Sequence, residues 1–457
     1  MQIFNDQTIP SLKDAILRRE ISAAELCRHV LEEVSEQNPK YAILTDTLAT
    51  TALLEAEVVD RRISAGDNPG RLAGIPIVIK DNIDTVPATC SAGLPSFAGY
   101  KPQRDAAVVG TLRKEGAVII GVAATDSGAF GVTTPAVRNP VYPGRIAGGS
   151  SGGPAAAVAA GFCKAAIGTD TGGSIRIPSA CCGIAGLKPT FGLIPSDGVR
   201  PLSKSADHVG PLARRIVDLG AILEIFAGQP AGLVPREKRK KIGVPWSYFA
   251  DAAAEVCRTV EDAAIVCEDL GHDICEVEIP HPDDVIPTHM ILALSEAALV
   301  HLEFDQDIHA YPDVARTGIR LGRSYRSHEY LAASNHRRDF VARISSAFDR
   351  VDYLLMPTLP ILPPGEGTSQ VEVGGRGLEI LAALIRYTAA FDQSGNPALS
   401  MPWRAATSEQ PGSIQLVGPL HGDLALLAFA HEIEEERDRK SKTDVGTVSK
   451  FHTDQRG

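Results

Sequence analysis

An α/β fold is predicted for this 457-residue chain by three observations. Short β-rich runs alternate with helical ones between residues 75 and 167. The alternation resumes with a new strand after a Gly/Pro/Lys-rich break near 228–239. It returns once more after a largely helical stretch that ends near Arg350. No internal repeat interrupts this pattern, so one large domain over 1–457 is expected, with a helical insertion near 280–350.

The elements follow in order. Ser22-Ala23-Ala24-Glu25 is a capping box that opens a helix with Leu26, Val30, Leu31 and Val34 on one face. Asn38-Pro39 is expected to stop it. A second helix is predicted over Leu48–Ser64, ended by Gly66, so that helices fill about 10–65. The region 70–225 then reads as strand Ile75–Ile79, helix Ala106–Glu115, strand Ala117–Ile120, helix Pro154–Ala160 with proline at its first position, and strand Ala165–Ile167. After the break come a strand at Ile242-Gly243-Val244, a helix over Ala252–Leu270 and a strand over Ile274–Ile279. The chain closes with strands at Tyr353–Thr358 and Ser413–Gly418 and a helix, and the charged tail 436–457 is expected to fray.

Composition narrows the function classes. With 44% apolar and 22% charged residues, the chain reads as an ordinary soluble globular protein. A net charge of −11 argues against a nucleic-acid surface. The basic run Arg236-Glu237-Lys238-Arg239-Lys240-Lys241 is read as a solvated loop. Met1–Arg19 lacks the apolar stretch of a secretory signal. Ala155–Cys163, read as the longest apolar segment, is about half a membrane span. Cysteines 27, 90, 163, 181, 182, 257, 267 and 275 form no C-x-x-C pair, which suggests reduced, mostly buried thiols in a cytoplasmic protein. The histidines show no metal-ligand spacing. For His281 with His289, and His301 with His309, exposed polar roles are expected instead of a shared metal.

Three segments carry chemistry. Gly74-Ile75-Pro76-Ile77-Val78-Ile79-Lys80-Asp81-Asn82 is an apolar strand ending in a lysine. Gly148-Gly149-Ser150-Ser151-Gly152-Gly153-Pro154 and Gly168-Thr169-Asp170-Thr171-Gly172-Gly173-Ser174-Ile175-Arg176 are glycine-rich. Together they offer two hydroxyls, an amine and many unhindered N–H groups, the parts of an acyl-transfer site without histidine or metal. A phosphate cradle is disfavoured because no lysine follows the glycines. Gly148–Gly152 also fits the G-x-S-x-G nucleophile elbow, but the approach Asn139-Pro140-Val141-Tyr142-Pro143-Gly144-Arg145 is a proline-broken loop, not the strand an elbow requires. Lys80, carried inward by its strand, would have a lowered pKa and could act as a neutral general base. Glycines 172 and 173 allow successive N–H groups to converge as an anion nest ending at Ser174.

On these segments the chain resembles the amidase signature family, from about Ser22 to Glu435. Asn38-Pro39, Arg138-Asn139-Pro140, Cys182-Gly183-Ile184-Ala185-Gly186-Leu187-Lys188-Pro189-Thr190 and Asp207-His208-Val209-Gly210-Pro211-Leu212 add to the resemblance. It implies a large mixed β-sheet core covered by helices on both faces. It also implies a Ser-cis-Ser-Lys triad, with Ser174 as nucleophile, Ser150 as the bridging serine after a cis Gly149–Ser150 bond, and Lys80 as base. The N–H groups of Thr171, Gly172, Gly173 and Ser174 would form the oxyanion hole, and Asp170 and Arg176 a structural ion pair.

The family often has Gly-Lys-Thr-Asn followed by Glu-Phe where this chain reads Gly121-Val122-Ala123-Ala124-Thr125-Asp126-Ser127-Gly128-Ala129-Phe130. Thr125, Asp126, Ser127 and Gly149 are therefore the candidate substrate contacts. The link to Asn139 is also shorter than in the amidase subunits of glutamyl-tRNA amidotransferases. The resemblance thus implies a cytoplasmic, cofactor-free and metal-free amidase cleaving a linear carboxamide to a carboxylate and ammonia or an amine. Its partner would be a small-molecule amide, with neither nucleic acid nor membrane, and a homo-oligomer is compatible with this. The alternatives are the amidase (A-type) subunit of a glutamyl-tRNA(Gln)/aspartyl-tRNA(Asn) amidotransferase, an esterase-leaning enzyme and a non-catalytic scaffold.

Overall fold

The computed structural model describes residues 7–230, 233, 238–303, 308–404 and 410–453, so Arg236 and Glu237 of the basic run lie outside the described residues. The chain begins with helices α1 (Ile9–Leu17), α2 (Ala23–Tyr41) and α3 (Ala49–Ala65). The capping box forms in full: Glu25 N–H donates to Ser22 Oγ at 3.0 Å, and Ser22 N–H to Glu25 Oε2 at 2.9 Å. Helix α2 runs past the expected stop at Asn38-Pro39 and ends at Ala42, which adopts φ 53°. Asn38 acts from inside the last turn, its Oδ1 accepting the N–H groups of Ile43 and Leu44. Gly66 caps α3 with φ 79°, a conformation open to glycine at little cost.

The core is a mixed sheet of eleven strands among the described residues. In chain order these are β1 (Leu44–Thr47), β2 (Pro76–Lys80), β3 (Val118–Ala123), β4 (Ala165–Asp170), β5 (Ala185–Lys188), β6 (His208–Ala213), β7 (Lys241–Val244), β8 (Asp273–Glu276), β9 (Tyr353–Pro357), β12 (Ala398–Arg404) and β13 (Pro411–Val417). They lie side by side as β1-β3-β2-β4-β6-β5-β12-β13-β9-β7-β8. Strands β2, β3 and β4 are parallel, as are β7, β8 and β9, and the other pairings are antiparallel. Every residue of β2, β3 and β4 is buried, as parallel strands covered on both faces must be.

Strands β1, β5, β6 and β12 are absent from the sequence-based assignment. Leu44-Thr45-Asp46-Thr47 is polar, and β6 and β12 each contain a proline. Pro402 is tolerated because β5 pairs only with Ala398–Ser400, leaving that part of β12 bonded on one side. A separate hairpin joins β10 (Gln370–Val373) and β11 (Arg376–Glu379) through Gly374-Gly375, both at positive φ, as its two-residue turn requires.

Helix α4 (Ala107–Lys114) crosses from β2 to β3, and α5 (Gly152–Ala160) precedes β4. The α5 residues Gly152–Ala159 are buried, and a Cβ on Gly153 would run into the Ala124 backbone. Its run of small residues is thus a packing requirement. Pro154 occupies the third helical position and not the first, because the helix opens two residues early at Gly152. It is harmless there, since first-turn N–H groups have few partners to lose. Helices α6 (Arg176–Cys182), α7 (Ile216–Ala227) and α8 (Ala254–Asp269) follow.

The region near 280–350 is helical: α9 (Pro282–Glu303), α10 (Asp313–Ser324) and α11 (Ser327–Ala347). By length and composition α9 could cross a membrane, so the longer apolar stretch lies here and not at Ala155–Cys163. In the fold 56% of its most apolar window, within Pro282–Leu302, is buried, so its apolarity serves packing. Short helices α12 (Ile380–Leu384) and α13 (Ala389–Ser394) lead into β12. Helix α14 runs from Asp423 to Thr453.

Candidate active site

The site forms where β2 and β4 end together. Their parallel register pairs Ile79 with Ile167, so Lys80 emerges beside Gly168 and Thr169. Helix α5 runs back along β4 and brings its N-terminus, with Ser150 just before it, to the same edge. Lys80 Nζ donates to Ser150 Oγ at 2.8 Å and to Thr169 Oγ1 at 2.7 Å. The lysine is fully buried, and desolvation lowers its pKa to about 7 against the opposing pull of Asp170, Asp207 and Asp126. A buried amine with this pKa exchanges its proton near neutrality.

The Gly149–Ser150 peptide bond is cis. Ser150 O accepts from Asp126 N–H at 3.0 Å and from Thr125 Oγ1 at 3.1 Å. Ser151 N–H donates to Ser174 O at 3.1 Å, which ties the two glycine-rich segments together. Ser150 is completely buried, whereas Ser174 keeps 7% exposure. Of the two hydroxyl residues, Ser174 is the one an incoming molecule can reach.

The Thr171–Ser174 turn depends on its glycines. Gly173 adopts φ 134°, and a Cβ there would collide with Thr388 Oγ1 and Ile177. One of the four expected oxyanion donors is corrected by the structure. Gly173 N–H donates to Asp170 Oδ1 at 2.6 Å, because that carboxylate lies under the turn. Thr171, Gly172 and Ser174 donate their N–H groups to no other described residue.

Arg176 is fully buried against Asp170, with Nε and Nη2 at 3.0 and 2.9 Å from its oxygens. It also donates to Asp392 Oδ2 at 2.7 Å, Gln415 Oε1 at 2.8 Å and Thr388 O at 2.9 Å. Burial penalises the Asp170 carboxylate, but the charge and hydrogen bonds of Arg176 outweigh it and hold the carboxyl well below the usual range. Asp392 goes the other way: desolvation and the neighbouring Asp170 push its pKa up, so the cluster carries one firmly ionised carboxylate.

The expected substrate contacts also need correction. Asp126 accepts the N–H groups of Ser127, Thr133 and Thr134 at 2.8, 3.3 and 3.1 Å, so its carboxylate organises its own loop. Thr125 Oγ1 is directed at the Asp126 and Ser150 carbonyls. A Cβ on Gly149 would strike the backbone of Val132 and Thr133, which makes Gly149 a packing position. Ser127 opens a short turn and is half-buried. The histidines differ from expectation as well. His289 and His301 are buried, while His281 and His309 are exposed. All eight cysteines are free.

Several residues of the site were not read from the sequence. Thr169 shares Lys80 with Ser150, and Asn82 Nδ2 reaches Thr169 Oγ1 at 3.2 Å. Asp207 accepts from Thr171 Oγ1 at 2.6 Å, and Thr388 Oγ1 donates to Gly172 O at 2.5 Å. The first two sit inside the quoted motifs and could have been found from the strand ends. Thr388 could not, since only folding brings it across more than two hundred residues.

Comparison with known proteins agrees with this geometry. Residues 25–427 match the family described as amidase. A glutamyl-tRNA(Gln) amidotransferase amidase-type subunit of Clostridium acetobutylicum is 30% identical, over 94% of this chain and 99% of its own length. The putative amidase AmiD of Mycobacterium tuberculosis is 31% identical over 93% of both chains. A crystal structure of an amidase superposes with a TM-score of 0.87 at 29% identity, covering 94% of this chain and all of the other. The chain belongs to the amidase signature family and is an amide hydrolase.

Proposed function

We propose that the chain is a free-standing amidohydrolase that cleaves a linear carboxamide through an acyl-enzyme on Ser174. The observation that carries this reading is the buried Lys80, with its lowered pKa, hydrogen-bonded to Ser150 beside the more accessible Ser174. Ser174 Oγ attacks the carbonyl carbon while its proton passes through Ser150 to neutral Lys80. The oxyanion is held by the free N–H groups of the Thr171–Ser174 turn. Lys80 returns the proton through Ser150 to the leaving nitrogen, the C–N bond breaks and ammonia or an amine departs. Water then attacks the ester by the same relay, releasing the carboxylate and restoring Ser174.

A second reading, the amidase component of a tRNA-dependent amidotransferase, is favoured by the likeness to such proteins over most of the chain. Two measurements test the first reading. A fluorophosphonate adduct is expected on Ser174, and an adduct on Ser150 instead would reverse the two serines. The purified chain alone is expected to turn over small aliphatic or aryl amides with higher kcat/KM than glutamine. Turnover of glutamine only, and only with companion subunits and tRNA, would establish the second reading.

A further inference from the structure

His289 projects from α9 onto the Thr171–Ser174 turn and is only 4% exposed. Its Nδ1 lies 2.9 Å from Gln393 Nε2, on α13. The amide N–H donates to Nδ1, so the ring proton sits on Nε2. Burial, with the Arg337 charge nearby, lowers the imidazole pKa to about 4 and keeps the ring neutral in working conditions. The Nε2 end faces Gly172: a Cβ built on that glycine would stand 2.9 Å from Nε2. The obvious acceptor there, Gly172 O, is already held by Thr388 Oγ1 at 2.5 Å. No described residue accepts the Nε2 proton. A buried donor left unpaired costs about 1–3 kcal/mol, which a ligand acceptor would relieve.

The surroundings say which part of a substrate arrives here. The contacts of Ser150, which returns the proton to the leaving nitrogen, come from Lys80 and residues 125–134. The contacts of His289 come from Gly172 and Gln393, on the other flank of the turn. Ile286 and Met290, beside it on α9, pack with Ile385 in one apolar cluster. The wall is therefore apolar apart from one neutral N–H donor. We infer that His289 is a specificity-determining residue, donating from Nε2 to an oxygen acceptor on an otherwise apolar acyl chain. The inference rests on Ser174 being the nucleophile. The substrate class it names is a carboxamide whose acyl part carries a hydroxyl, ether or second carbonyl oxygen.

The experiment pairs each acceptor-bearing amide, such as an alkoxy- or hydroxyalkanamide, with a length-matched alkanamide and takes the ratio of kcat/KM. Wild-type enzyme is first treated with a fluorophosphonate to locate the adduct. The ratio is expected to favour the acceptor-bearing amide by about ten-fold or more, to collapse in His289→Leu, and to be largely restored in His289→Gln, whose amide nitrogen can occupy the same place. A ratio in H289L within two-fold of wild type, or an H289Q ratio no better than H289L, overturns the inference while Ser174 labelling stands. Should H289L not fold, the wild-type ratio decides, and the absence of a preference overturns it. Labelling elsewhere than Ser174 removes the underlying reading, and this inference with it.

Discussion

Asp170 Oδ1 accepts the Gly173 N–H at 2.6 Å while the same carboxylate grips Arg176. The turn that presents Ser174 is thereby fastened to a buried ion pair at the end of β4. Turn geometry and core electrostatics become one unit, and perturbing either should disturb the other.

Arg176→Met should destabilise the fold by about 3–5 kcal/mol, because it leaves the Asp170 carboxylate buried without its cation. Denaturant unfolding at neutral pH measures this. The stability that Asp170 contributes is present above its unfolded pKa and is lost as pH falls toward its depressed folded value. The loss caused by R176M should therefore shrink in acid. A loss under about 1 kcal/mol would contradict the bracing role.

Gly173→Ala should abolish turnover and lower stability together. Its φ of 134° and the closeness of Thr388 and Ile177 leave no room for a Cβ. Thermal melting and amide hydrolysis on the same preparation read both effects. Wild-type activity in this variant would mean that the turn can relax without moving Ser174.

Lys80 should act as a neutral amine, so activity should fall as pH drops below about 7 and level off on the alkaline side. Lys80→Arg should be inactive, since guanidinium keeps its proton. Ser174→Ala should lower kcat/KM on the order of 10⁴-fold or more, and Ser150→Ala less if water bridges the gap. A pH profile unchanged in a folded, active K80R enzyme would remove the lysine from the relay.

Two buried lysines should tilt the pH dependence of stability. Lys80 and Lys188 are each lowered to about 7 by desolvation, from an ordinary 10.5. Between those values the unfolded chain binds more protons, so stability should rise with pH, by about 1.4 kcal/mol per pH unit for each lysine. Lys188→Met should reduce that slope by about one proton. An unchanged slope would mean that Lys188 stays charged in the fold.

Asp126→Asn should act on the loop that its carboxylate holds. Three backbone N–H groups from Ser127, Thr133 and Thr134 lose a charged acceptor, at a cost of roughly 1–3 kcal/mol. The melting temperature should drop while relative kcat/KM across an amide panel keeps its order. A reordered panel with intact stability would return Asp126 to the substrate pocket.

By itself the sequence determined the α/β class, the capping box at Ser22 and the segments holding Lys80, Ser150 and Ser174. Each of these is written locally, in hydrophobic period, cap chemistry or glycine spacing. Strands such as β1 and β6 escaped because polar residues or a proline hide their period, and only pairing with neighbours makes them strands. Tertiary structure alone decided which polar groups face inward. Asp126 and Gly173 looked free to meet a substrate, yet the fold gives their hydrogen bonds to its own loop and to Asp170. His289, Thr388 and Gln393 entered the site from distant segments, and no local pattern announces them. The physical reason is that a buried polar group must find its partner wherever packing places one, and sequence separation does not encode that distance.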